Sequence, residues 1–218
     1  MLPLLLDRNQ NRPLNVLCLG AHCDDIEIGC GGTVLGLCES NPDTIINWIV
    51  FASNDTRYEE ALASAHEFLQ GVKNAHIEIL QFRDGFFPYI GHEIKEKFEA
   101  LKTTIQPDVI FTHYRDDLHQ DHRIVNELTL NTFRNHLIFE YEIIKYDGDI
   151  GNPNVYFPLE TRLLEKKCEL LTKHYVSQNP KSWFTKETFT SMARLRGVEA
   201  NSASGYAEAF YGRKITIA

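Results

Sequence analysis

The 218 residues hold 30 acidic and 22 basic side chains, a formal charge of −8, with 43% hydrophobic and 24% charged residues. That charge repels a phosphate backbone, no basic cluster with interleaved aromatics offsets it, and no run approaches the roughly 20 apolar residues of a membrane helix, so nucleic acid and membrane spans are excluded. Five cysteines (Cys18, Cys23, Cys30, Cys38, Cys168) are odd in number and lack CxxC spacing, which argues against a disulfide framework and a thiolate zinc site and fits a reducing, cytoplasmic setting.

In chain order, the opening "MLPLLLDRNQNRP" has a short apolar patch without the basic region, length or cleavage site of a signal peptide. "NVLCLGAH" reads as a buried strand and Ile26 to about Cys38 as a helix opened by Gly29, Gly31 and Gly32. "TIINWIVFAS" is a second strand, "RYEEALASAHEFLQG" a helix ended by Gly71, and "AHIEILQF" a third strand. "HEIKEKFEALKTTI" predicts a helix stopped by Pro107, "DVIFTHY" a fourth strand, and "DHRIVNELTLNTFR" a helix with Asp121 as N-cap. Beyond it, "LIFEYEII" and "NVYFP" read as strands around the turn-rich "GDIGNP". "ETRLLEKKCELLTKHYVSQ" and "TFTSMARLRGVEAN" are helices, and "EAFYGRKITI" is a closing extended segment.

Strands alternating with helices of ten to fifteen residues imply an α/β, Rossmann-like three-layer fold, a mostly parallel sheet with helices on both faces. Residues 1–218 contain no repeat or linker, which predicts one domain. In such sheets ligands bind beyond the carboxyl ends of the strands. "GAHCDD" (20–25) follows the first strand and "HYRDDLHQDH" (113–122) the fourth, so both clusters come to one edge. The three glycines after "CDD" lack GxGxxG register, and the adjacent carboxylates disfavour a pyrophosphate.

Two histidines and an aspartate with one position left for water suit a catalytic zinc ion, Zn2+, and the best ligand set is His22, Asp25 and His122. Asp24 then sits beside the ion as a general base. His119 is placed to stabilise an oxyanion or protonate a leaving group, with Asp121 as a candidate to orient its ring. His113, Asp116 and Asp117 stay open between packing and pocket roles.

"AHCDD" followed by "GCGGT", with "HYRDDLHQDHR", resembles the PIG-L (LmbE-like) zinc-dependent N-deacetylases, whose pattern is AHPDD…GG followed by HxxxDxHxDH. "TRYEEALASAHEFLQG", "FRDG" and "YAEAF" extend the resemblance along nearly the whole chain. It implies the same ligands, base and assisting imidazole, and adds Arg57 and Asp84 as substrate-binding residues. The implied substrate is an N-acetyl amino sugar of the N-acetylglucosamine type, or a conjugate of one. Where that family carries proline, Cys23 stands here: a small residue filling the ring's space, or a thiol able to enter the coordination sphere. That departure keeps a non-catalytic sugar-binding member of the fold as the alternative; a Mg²⁺- or Mn²⁺-dependent nucleotide-sugar transferase is disfavoured by histidine ligation. The loops 148–158 and 179–184 are expected to shape substrate choice, with Tyr156 and Trp183 as stacking or packing aromatics.

Overall fold

The computed structural model describes residues 12–216, so the apolar patch of the opening segment lies outside the described residues. Seven strands form one sheet in the order β3-β2-β1-β4-β5-β7-β6. The first five, β1 (Asn15–Gly20), β2 (Ile45–Ala52), β3 (Asn74–Phe82), β4 (Val109–His113) and β5 (Leu137–Tyr141), are parallel. β7 (Ala207–Gly212) pairs antiparallel with both β5 and β6 (Val155–Pro158). The α/β, mostly parallel architecture is as expected from the alternation. Among the described residues no helix is long and apolar enough to cross a membrane.

The two sheet faces are read directly from period 2. On β1, Val16 and Cys18 enter one core with α1 (Asp25–Ser40), α2 (Asp55–Phe68), α5 (Thr161–His174) and α6 (Lys186–Glu199). Leu17 and Leu19 enter the other, beneath α3 (Gly91–Thr104) and α4 (Gln120–Thr132). Connections from β1 and β2 therefore pack on one face and those from β3 and β4 on the other, which makes the β1/β4 boundary the switch point where loops diverge and leave a crevice.

The glycines of α1 serve close packing, not a phosphate loop. A Cβ on Gly29 would fall 2.2 Å from Tyr141 Cδ2 and one on Gly32 2.8 Å from Leu159 Cδ1, so only glycine lets this buried helix lie against β5 and the 159 turn.

Some boundaries differ from the pattern. α4 begins at Gln120 with His119, not Asp121, as its N-cap: the His119 ring takes the capping role by accepting from the Asp121 amide. β5 stops at Tyr141, whose carbonyl still accepts from Tyr114 N–H, short of the Ile144 at the end of its apolar run, because β4 ends at His113 and offers no further partner. The closing strand ends at Gly212 and residues 213–216 do not continue it; the expected end of that segment, Ile217, lies outside the described residues.

Candidate metal and catalytic site

β1 ends in a turn that delivers His22, Cys23, Asp24 and Asp25 to the switch point, where Asp25 opens α1 and accepts from the His22 amide at 2.6 Å. β4 ends at His113, and the chain to His119 hands over to α4, whose first turn carries Asp121 and His122. The two clusters meet there. His22 Nδ1 lies 3.1 Å from His122 Nε2, and Asp25 approaches them through different oxygens, Oδ2 at 3.4 Å from His22 Nδ1 and Oδ1 at 3.6 Å from His122 Nε2.

What each ring does with its other nitrogen decides what faces this centre. His122 Nδ1 is 2.9 Å from Asp117 Oδ2, so that nitrogen carries the proton and Nε2 presents a lone pair. His22 Nε2 faces Asp121 Oδ2 at 3.3 Å and Asp84 Oδ1 at 3.1 Å, both acceptors, which leaves Nδ1 pointing inward. Between His22 Nδ1, His122 Nε2 and Asp25 there is a place for one cation, a proton on His22 Nδ1 or a metal ion instead of it. Ligands at 2.0–2.1 Å on a tetrahedral zinc are about 3.3 Å apart, close to all three separations. The donor set therefore fits zinc: His22 Nδ1, His122 Nε2 and Asp25 are the residues able to hold it. Three groups that overlap this set, His22 with His119 and His122, Asp25 with His113 and His122, and His22 with Asp84 and Asp121, bring their ligand atoms within 4.8 Å of one another.

The charge balance fits the same group. Burial alone would lower the His22 pKa, but Asp121, Asp25 and Asp84 outweigh it and hold the imidazole well above its usual range. Burial, with His113 alongside, takes His122 down to about 3. A metal ion held there would take the place of one proton on His22 and would meet His122 already unprotonated.

Asp24 is 5% exposed and its Oδ1 is 2.8 Å from Arg57 Nη2. Burial raises its pKa although Arg57 pulls the other way, which makes it a stronger base than a surface aspartate. Arg57 is thus committed to Asp24 in this state. It also lines a groove of about 470 Å³ with Asn54, Thr56, Ser177 and Gln178, whose opening gives an incoming group access to that side of the pair. Asp84, 65% exposed at the side chain, rests on His22 at the mouth, and that contact draws its pKa down to about 2.

His119 Nδ1 accepts from Asp121 N at 3.2 Å, so the proton sits on Nε2; burial lowers its pKa, and a neutral donor results. The Asp121 carboxylate does not orient His119. It accepts from Gly85 N at 2.7 Å and Phe87 N at 3.2 Å and turns to His22 instead, because the helix start points its side chain at the 85–87 turn. Cys23 points away from the ligands: its Sγ donates to the Ala52 carbonyl at 3.1 Å inside the apolar core, and burial raises its pKa, so it takes the space-filling course. Tyr156 bonds Pro153 O and Glu199, and Trp183 packs edge-on to Phe184, both structural contacts.

Two supports went unassigned from sequence. Asp117 holds His122 and accepts from His119 N at 2.8 Å, and its signal was present in the HxxxDxHxDH spacing. His113 Nε2 accepts from Ala21 N at 2.9 Å and lies 3.2 Å from Asp25 Oδ2, fixing the turn that carries the ligands; only its position at a strand end hinted at this.

Residues 17–133 match the family model described as PIG-L: GlcNAc-PI de-N-acetylase. Among solved structures, N,N'-diacetylchitobiose deacetylase from Pyrococcus horikoshii is 23% identical with a TM-score of 0.70, over 91% of this chain and 83% of that one. GalB, the 4-carboxy-2-hydroxymuconate hydratase of Pseudomonas putida KT2440, is 16% identical with a TM-score of 0.75, over 94% and 98%. The zinc-inhibited form of teicoplanin deacetylase Orf2 is 13% identical with a TM-score of 0.68, over 91% and 97%. At these identities the likeness is one of fold. Deacetylases and a hydratase share it, so the chemistry has to be argued from the side chains.

Proposed function

The chain belongs to the PIG-L family, and on that premise we propose that it is a zinc-dependent hydrolase removing the acetyl group from the nitrogen of an N-acetylated amino sugar, of the N-acetylglucosamine type, or a conjugate of one. The observation that carries the reading is the convergence of two ring nitrogens, His22 Nδ1 and His122 Nε2, 3.1 Å apart beside Asp25, each ring held from behind by carboxylates. When bound there, zinc supplies Lewis-acid polarisation of the amide carbonyl and a lowered pKa for the attacking water.

The chain's own residues do the rest. Asp24, its basicity raised by burial, takes one proton from the water as oxygen attacks the acetyl carbon. His119 donates from Nε2 to the oxygen that gains negative charge, and it does so as a neutral imidazole because its Nδ1 is occupied by the Asp121 amide. That tautomer assigns the second proton transfer to Asp24: it returns its proton to the nitrogen as the C–N bond breaks, giving acetate and the free amine. Asp84 at the mouth is open to sugar hydroxyls, and Arg57, while paired to Asp24, presents its groove side to them.

Zinc-loaded protein is expected to release acetate from a panel of N-acetylglucosamine conjugates, and Asp24→Asn to keep its zinc while losing turnover. A panel without acetate release, at one bound zinc per chain, overturns the reading. Sugar binding without turnover would then select the non-catalytic alternative.

A further inference from the structure

Lys145 lies in the segment between β5 and β6, outside every motif, and its side chain is only 9% exposed. Its ammonium sits among three aspartates: Asp117 Oδ1 at 3.1 Å, Asp149, and Asp147 Oδ2 at 3.8 Å. Asp117 and Asp149 are themselves almost fully buried, at 2% and 8% of the side chain.

From this contact we infer that Lys145 is a positioning residue for the metal centre, acting through Asp117; the inference rests on the zinc reading of the site. Asp117 has two tasks. Its Oδ2 fixes the His122 ring, and its Oδ1 holds the His119 amide at 2.8 Å. Lys145 grips Oδ1, the oxygen turned away from His122, so the carboxylate cannot swing without breaking an ion pair in a poorly solvated place. Asp149 completes the clamp: it bonds Lys145 and accepts from Leu118 N at 2.8 Å, so the chain that follows Asp117 is held as well. Arg123, the other cation close by, spends its contacts on the Asp117 and Leu118 carbonyls and leaves the carboxylate to Lys145. The far end of the clamp is anchored as well, since Arg196 bonds Glu142 and the Gly151 carbonyl. Without the ammonium, two buried carboxylates would confront each other beside a metal ligand.

Outer-shell partners of a ligating histidine are typically worth 10–100-fold in metal affinity. Zinc affinity is measured by chelator competition on the full-length wild type, Lys145→Met, Lys145→Arg, Asp117→Asn and the Lys145→Met/Asp117→Asn double variant, with Lys145→Gln prepared in case the methionine does not fold. Lys145→Met is expected to weaken zinc about tenfold, Lys145→Arg to recover most of that, and the double variant to match Asp117→Asn within about threefold. Wild-type affinity in a folded Lys145→Met or Lys145→Gln, or additive losses in the double variant, overturns the assignment. A wild type that binds no zinc removes the metal reading and this inference together, and the wild-type titration alone reports it.

Discussion

Two buried ionic clusters ride on the same helix, α1, and they differ in how far their valences are spent. Near its middle, Glu208 accepts from Gly32 N, Thr33 N, Thr33 Oγ1 and Lys167 Nζ at 2.6–2.9 Å, and Lys167 also donates to Ile28 O. Every charge there has a partner, and the cluster stitches α1, α5 and β7 together. At the start of the same helix, His22 Nδ1 and His122 Nε2 converge on one point beside Asp25. Burial and charge mark both clusters. What separates structure from function is the convergence of ligand atoms on one point where a proton could give way to a metal ion, a form of local disagreement that folding alone would remove.

The sharpest test of that contrast is His122→Ala, which is expected to lose bound zinc and to lower turnover by about 10³-fold or more, read by elemental analysis and acetate release. Asp24→Asn should lower kcat by about 10²–10⁴-fold with zinc content kept, separating base from ligand. Lys167→Met removes the cation beside Glu208 and leaves it only its three donors on α1, and denaturant unfolding should report a loss of about 3–5 kcal/mol with zinc per folded chain unchanged. Loss of zinc without loss of stability would collapse the distinction between the two clusters.

Glu27 lies between them on α1, and burial takes its pKa up to about 7 although Ser64 and Tyr175 donate to it at 2.7 and 2.5 Å. Because the folded chain keeps this proton where the unfolded chain has lost it, its contribution is full below about pH 4.5 and is lost as pH rises to about 7. In metal-stripped protein, Glu27→Gln should flatten that part of the stability profile, by up to about 3 kcal/mol across the window; an unchanged profile would show an ionised Glu27 at neutral pH. The smallest effect is assigned to Cys23→Ala: about 1 kcal/mol of stability, zinc affinity unchanged within about twofold, and a native thiol slow to alkylate at pH 8.

Period and spacing encode much of the fold and of the site. The alternation of apolar runs with helical segments specified a parallel sheet, and "GAHCDD" and "HYRDDLHQDH", each behind a strand, specified which residues come to its edge. These are local properties, written in residues near one another, so they survive without coordinates. Which atom faces which is decided over long separations and by rotamers that only packing selects. Asp121, two residues from His119, gives its carboxylate to His22 because the 85–87 turn lies beside it. Lys145 reaches Asp117 across a turn-rich loop with no motif of its own. Cys23 is set aside from the metal by the Ala52 carbonyl of the neighbouring strand. The sequence by itself determined the layers and the ligand-bearing turns, because hydrophobic period and strand-end position are encoded locally. Tertiary structure alone decided the tautomers, the partner of each carboxylate and the support behind the ligands, because those depend on contacts between segments that the chain does not place side by side.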